Sequence, residues 1–158
     1  MIPAQSPVNF EIAIRFRCLK PPIDAVTFKV DGGRFPTSSR TIKLYRDTCY
    51  DLCISSTADC HLEDVEVNGE TLLCEPNLDG SLLARWSTSG FGKTKSRKRN
   101  AVRLTFRGTF GELTHSLQCK FYDPTDLHAQ WGDKFVCMKL ECRSGEAGVT
   151  SVVQEELK

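Results

Sequence analysis

Chemistry is first suggested at residues 88–100, TSGFGKTKSRKRN, where Gly92-Lys93-Thr94 reproduces the end of a phosphate-binding loop, G-x-x-x-x-G-K-[ST]. Within the same stretch Lys93, Lys95, Arg97, Lys98 and Arg99 place five positive charges in seven residues. A phosphate loop works because it opens a helix whose free N–H groups face the anion. Here the first glycine position is Ser87, and the following KSRKRNAVRLTF is charged coil running into a strand pattern. Nucleotide binding is therefore not expected. The five cations remain a candidate contact for anions, whether a phosphate or a peripheral, anionic membrane surface. Charge alone gives salt-sensitive, sequence-blind association. With Phe91 as the one aromatic residue tied to the run, no specific nucleic-acid reading is expected.

A second array lies in FKVDGGRFPTSSRTIKLY, residues 28–45, where Lys29, Arg34, Arg40 and Lys43 interleave with apolar residues. If Val26, Phe28 and Val30 point inward, Lys29 points outward, and Ile42 with Leu44 likewise force Lys43 to the surface. Asp31-Gly32 can reverse the chain through a positive φ, and Pro36 stops the returning strand because it has no N–H for a ladder. The expected result is a short strand pair with open backbone groups beside four cations. It suits an extended acidic or phosphorylated peptide, held by an added strand and by charge contacts. The bland alternative is a charged edge that suppresses aggregation.

Other reactive side chains point to little chemistry. Cys18, Cys49, Cys53, Cys60, Cys74, Cys119, Cys137 and Cys142 would suggest disulfides in a secreted chain. MIPAQSPVNFEIAIRFRCLK does not read as a secretion signal, so free thiols in a reducing cytoplasm are expected. Cys49, Cys53, Cys60 and His61 invite a zinc reading, but four residues along a strand separate Cys49 from Cys53 by about 13 Å. His61, His115 and His128 accompany no G-x-S-x-G or H-E-x-x-H signature, and His115 shares parity with Leu113 and Leu117, as a hydrogen-bonded core imidazole would. No catalytic residue, metal, cofactor or small-molecule substrate is expected.

The elements that position these residues have a two-residue period. Val8, Phe10, Ile12, Ile14, Phe16 and Cys18 occupy alternate positions, and shorter alternations recur around Val26, Ile42, Leu52, Val65, Leu104, Leu117 and Leu140. In the last of these, Val136, Met138, Leu140 and Cys142 are expected to share the inner face. VEVNGETLL reads as a hairpin turning at Asn68-Gly69. TSVVQEELK fits either a helix capped by Ser151 or a last strand. Trp131, followed by Gly132, is expected to cover one end of the fold, the alternative being an exposed anchor for a partner. Residues 1–158 are thus read as a single all-β domain, an antiparallel barrel or sandwich of about nine to ten strands. Residues 88–100 form a mobile loop in this reading, and 144–158 a peripheral C-terminal segment. The net charge of +1 supplies no whole-molecule field, so any electrostatic partner must meet a local patch.

FKVDGGRF, RTIKL, KFY, QWG and EC, in that order, resemble the cannabinoid receptor-interacting protein 1 family across residues 8–142. The resemblance implies a cytosolic, non-enzymatic β-barrel or sandwich similar to the Rho guanine-nucleotide dissociation inhibitor fold. It implies an accessory that binds the cytoplasmic carboxyl-terminal tail of a G-protein-coupled receptor and tunes its signalling or internalisation, with recruitment to the inner face of the plasma membrane. A prenyl or acyl carrier is the alternative that such a fold suggests, provided that Phe10, Phe16, Phe28, Phe106 and Phe121 leave the interior open. The chain departs from the family pattern in its basic loop, in its cysteines, of which Cys142 matches, and in its ending EELK.

Overall fold

The computed structural model describes residues 8–19, 26–35, 38–57, 60–145 and 150–158, which build two facing sheets of six and seven strands. In the first, β1 (Val8–Cys18) pairs with β4 (Cys49–Ser56) and β12 (Met138–Ser144). Beyond β4 lie β8 (Leu82–Ser87) and β7 (Leu73–Pro76), and beyond β12 lies β13 (Thr150–Leu157). The second sheet is centred on β10 (Gly111–Tyr122). One side of β10 carries β9 (Asn100–Gly108), β5 (Leu62–Val67) and β6 (Glu70–Thr71). Its other side carries β3 (Arg40–Tyr45), β2 (Val26–Val30) and β11 (Asp133–Phe135).

The alternation has the expected cause. Ile12, Ile14, Leu52, Ile54, Phe106 and Phe121 are fully buried between the sheets, and each such side chain contributes about 1.5–3 kcal/mol by leaving water. Asn68 and Gly69 both have positive φ, 50° and 86°, so the β5–β6 turn is the one that Asn-Gly favours. Glycine at position 32 has φ +63° and serves the turn after β2, as expected. The expected role of Pro36 lies outside the described residues. No disulfide joins any of the eight cysteines; Cys18, Cys119, Cys137 and Cys142 are buried, and burial pushes the Cys142 thiol up to about 11.

The sandwich differs from the expected pattern in several places. The described residues form thirteen strands, because β6, β7 and β11 are too short to show a period and β13 resolves the ambiguous C-terminus as a strand. The pairing is not wholly antiparallel, since β3 runs parallel to β10. Val30 has the inner parity but is 57% exposed at the end of β2, opposite Arg40. The run near Lys134 is not one strand: β11 belongs to the second sheet and β12 to the first. Where the chain crosses between them, Val136 is exposed and Cys137 buried, the reverse of the expected order, and both their N–H groups donate to the Lys158 carbonyl. The C-terminal segment thus contributes an edge strand, and it buries Leu157.

Candidate functional site

The outer face of the second sheet carries a cationic cleft. Lys29 on β2 lies opposite Thr41 on β3, and Lys43 on β3 lies beside Lys120 on β10. Because residues of opposite parity, Phe28, Ile42 and Phe121, are buried, these four polar residues share the outward side. Like charges in direct cross-strand register are destabilising, so the Lys43/Lys120 pairing needs an explanation beyond folding.

Segment 88–100 closes over this face and is fastened at three points. Thr88 is fully buried, and its hydroxyl donates to the Tyr45 carbonyl at 2.6 Å. The Thr94 N–H donates to the Phe121 carbonyl at 2.9 Å, and the Phe121 N–H donates back to the Thr94 hydroxyl at 2.8 Å, while the rings of Phe91 and Phe121 stack at 4.2 Å. Arg99 is the third anchor. Its Nε donates to Thr41 Oγ1 at 3.0 Å, its Nη2 lies 3.3 Å from Asp31 Oδ1, and its guanidinium sits 4.3 Å from the centre of the Phe35 ring. The side chains are 8% exposed for Arg99 and 0% for Asp31, so this is a buried ion pair. Thr41 donates to Asp31 Oδ2 and accepts from Gln118 Nε2, which leaves the carboxylate well supplied with donors.

The resulting cleft, about 360 Å³, is lined by Lys29, Lys43, Lys93, Arg99 and Lys120, with Asp126 and His128 at one side. Few carboxylates oppose these cations. Lys93 reaches Asp123 at 3.8 Å and Lys29 reaches Asp31 at 4.0 Å, but the latter is already paired with Arg99. Asp126 accepts from the backbone N–H of His128 at 3.0 Å and meets its ring Nδ1 at 2.7 Å; those bonds hold its carboxyl below the usual range. Lys43 donates to two neutral acceptors, the His128 carbonyl at 3.2 Å and the Trp131 carbonyl. Lys120 lies over the Tyr122 ring, 5.1 Å from its centre, and forms no salt bridge among the described residues. Burial first, and repulsion from neighbouring cations second, lowers the pKa of both Lys43 and Lys120. The cleft is a preformed excess of positive charge, and an anion is its natural complement.

The two cation arrays seen in the sequence therefore merge in part. Lys29 and Lys43 come from the first array and Lys93 and Arg99 from the second. Arg34 is exposed outside the cleft, and Arg40 has the parity of Ile42 and Leu44, half-buried at the start of β3. Lys95, Arg97 and Lys98 are exposed along the loop. Lys120 was missed by the sequence reading. Its outward parity between Cys119 and Phe121 was visible, but nothing local announced that β3 and β10 would pair.

Two further expectations are corrected. The free edge of β2 is not open for strand addition along its length, because β11 pairs with it from Val26 to Phe28. Trp131 does not cover the end of the fold: it is 60% exposed and its ring leans on His128 at 4.1 Å. His115 makes the expected hydrogen bond, with its Nε2 at 2.5 Å from Glu155 Oε2 on β13, but the imidazole is half-buried and lies outside the core.

Fold and cleft together define an all-β sandwich that carries a cluster of lysines with few carboxylate partners on one outward face. The chain belongs to the family described as CB1 cannabinoid receptor-interacting protein 1, which matches residues 6–157. It is similar to proteins of that name from Bos taurus (30% identical), Rattus norvegicus (31%) and Homo sapiens (30%), each alignment covering 94% of both chains. The family's description is that of an interaction protein rather than an enzyme. Among the described residues, no helix is long and apolar enough to cross a membrane.

Proposed function

We propose that this protein is a non-enzymatic cytoplasmic adaptor whose cationic cleft binds an acidic or phosphorylated segment in the carboxyl-terminal tail of a cannabinoid-type G-protein-coupled receptor. Binding there recruits it to the inner face of the plasma membrane and tunes the receptor's signalling or internalisation. The observation that carries this reading is the convergence of Lys29, Lys43, Lys93 and Lys120 on one cleft with too few carboxylates to neutralise them. The family's description supplies the receptor. With β11 covering much of β2, side-chain contacts rather than an added strand supply the binding energy. The exposed Trp131 beside His128 offers an apolar anchor next to the charged site.

Titration of receptor-tail peptides, phosphorylated and unphosphorylated, against the wild type and a Lys29→Glu/Lys120→Glu variant tests the reading. The variant is expected to bind at least about tenfold more weakly, the loss being larger for the phosphopeptide, because each lost charge-assisted contact is worth about 1.4 kcal/mol or more. Equal affinities for both proteins overturn it.

Exposed Lys95, Arg97 and Lys98 favour a second reading, peripheral contact with anionic lipid. Loss of vesicle cosedimentation when the five basic residues of the loop become alanine supports that reading, and unchanged cosedimentation removes it. The lipid-carrier alternative is disfavoured. Phe10, Phe16, Phe28, Phe106 and Phe121 are all buried, and several stack edge-on or face-on with neighbours. A groove of about 650 Å³ near β6 and β8 mixes Leu72, Trp86 and Phe91 with Asn68, Glu70 and Arg85, a poor lining for an acyl chain.

A further inference from the structure

The loop that supplies cations to the cleft also supplies a hydroxyl. Four residues with hydroxyl groups line the cleft, and three of them, Thr41, Thr94 and Tyr122, are buried. The fourth, Ser96, is exposed, and its hydroxyl has no hydrogen-bond partner among the described residues. It stands at the second position of a turn closed by the Lys98 N–H donating to the Lys95 carbonyl at 3.0 Å, with Arg97 at φ +64° in the third. Lys93 and Lys95 precede it and Arg97, Lys98 and Arg99 follow it. A reachable serine on an exposed turn between basic residues complements the acidic substrate groove of a serine kinase that selects basic flanks.

We propose that Ser96 is a phosphorylation site, and that its phosphoserine turns back into the cleft and occupies it, so that modification closes the site to other anions. This rests on the reading that the cleft binds an anionic tail. In the modifying step the γ-phosphoryl group of a nucleoside triphosphate moves to Ser96 Oγ. The P–Oγ bond forms, the bond to the nucleoside diphosphate breaks, and the hydroxyl proton passes to the kinase's base. The product carries a charge of about −1.5 to −2 at neutral pH and three acceptor oxygens. Lys29, Lys43 and Lys120, which repel one another across the cleft, are the donors that those oxygens meet. A ligand tethered this closely has an effective concentration on the order of millimolar, enough to displace a weakly bound peptide. Lys95 and Lys98 are left at the surface, so the modification also lowers the loop's attraction for anionic membranes.

The test uses the full chain, as wild type and as Ser96→Ala, treated with ATP and a purified kinase that prefers basic residues on both sides of the serine. Peptide mapping by mass spectrometry is expected to place one phosphate on Ser96 and none on the loop of the variant. Phosphate elsewhere with Ser96 untouched overturns the assignment. Phosphorus NMR of the singly modified chain then reads the second ionisation of the phosphate. Its midpoint is expected to lie roughly half to one pH unit below the ordinary value of about 6, and to return toward it in a Lys29→Gln/Lys120→Gln background. A midpoint that is the same in both backgrounds shows that the phosphate does not enter the cleft, and overturns the proposal. Finally, affinity for the phosphorylated tail peptide is expected to fall at least about tenfold on modification of the wild type and to stay constant for kinase-treated Ser96→Ala. An unmodified protein that binds no tail peptide, together with a lowered phosphate midpoint, refutes the adaptor reading and leaves the occupancy of the cleft by phosphoserine standing.

Discussion

Two halves of one sheet surface treat positive charge in opposite ways. On the half formed by β5, β9 and the start of β10, Arg107 meets Asp64 at 3.1 Å, Glu66 at 2.7 Å and Glu112 at 3.4 Å. On the half formed by β2, β3 and the end of β10, Lys43 meets Lys120. The β10 member of each pair, Glu112 or Lys120, lies on the outward parity of that strand, and the difference comes from register. Antiparallel pairing sets Arg107 opposite Glu112 and beside Asp64, whereas parallel pairing of β3 with β10 sets lysine beside lysine. A cation surrounded by carboxylates has its charge spent within the fold. One surrounded by cations keeps its field for a partner, at some expense in stability.

The contrast is most sharply tested by removing one arginine from each half. Arg99→Met leaves the Asp31 carboxylate without its buried ion-pair partner, with only the exposed Lys29 at 4.0 Å nearby, and is expected to lower the unfolding free energy by about 3–5 kcal/mol, read from urea denaturation. Arg107→Met, which breaks up a half-exposed cluster at the surface, is expected to change the urea midpoint much less. Similar losses in the two variants would erase the distinction between a buried anchor and a surface network.

A smaller effect is expected from Gly132→Ala. This glycine has φ +147°, and a Cβ there would sit 2.7 Å from the Phe28 carbonyl oxygen, so β11 must shift away from β2. The cost is about 1–3 kcal/mol, and because the neighbouring Trp131 carbonyl holds Lys43, affinity for an anionic tail peptide is expected to drop as well. Unaltered binding would separate the Trp131 turn from the cleft.

The smallest effect has the opposite sign. Lys120→Gln relieves repulsion and is expected to raise the melting temperature by about 1–2 °C at neutral pH and low salt, solvent screening keeping the gain modest, while tail binding weakens. The ammonium is disfavoured in the folded state, so the unfolded chain holds more protons between the lowered folded pKa and the ordinary 10.5. Wild-type stability should therefore rise as pH climbs through that window, and the variant should show less of the rise. The penalty is fully present below the window. A destabilised Lys120→Gln protein would mean that the ammonium is satisfied within the fold and that the cleft is not poised for a ligand.

Much of the sandwich was legible because burial acts locally on alternate residues. β1, β4 and β9 could be read almost residue by residue, since every second side chain there faces the core. The misread positions are those where a strand ends or changes sheet. Val30 has apolar character at the end of β2, and Val136 lies where the chain leaves one sheet for the other; neither event alters the local alternation. Trp131 was misread for a related reason, as ring size favours burial but a glycine in an unusual conformation beside it turned the indole outward. The candidate site was half visible. Lys29, Lys43, Lys93 and Arg99 stood out as charges, while Lys120 and the buried Asp31 did not.

Alternation of apolar and polar residues, a property of neighbouring positions, already determined that this chain folds as an all-β barrel or sandwich and that Lys29, Lys43 and Lys120 must face away from the core. What only the tertiary structure decided was which strands stand side by side. Joining β3 to β10, some seventy residues further along the chain, depends on the packing of the whole sandwich, and so does the docking of Arg99 onto Asp31. Electrostatic energy depends on distance in space rather than on separation along the chain, so scattered lysines became a cleft only once that pairing was made.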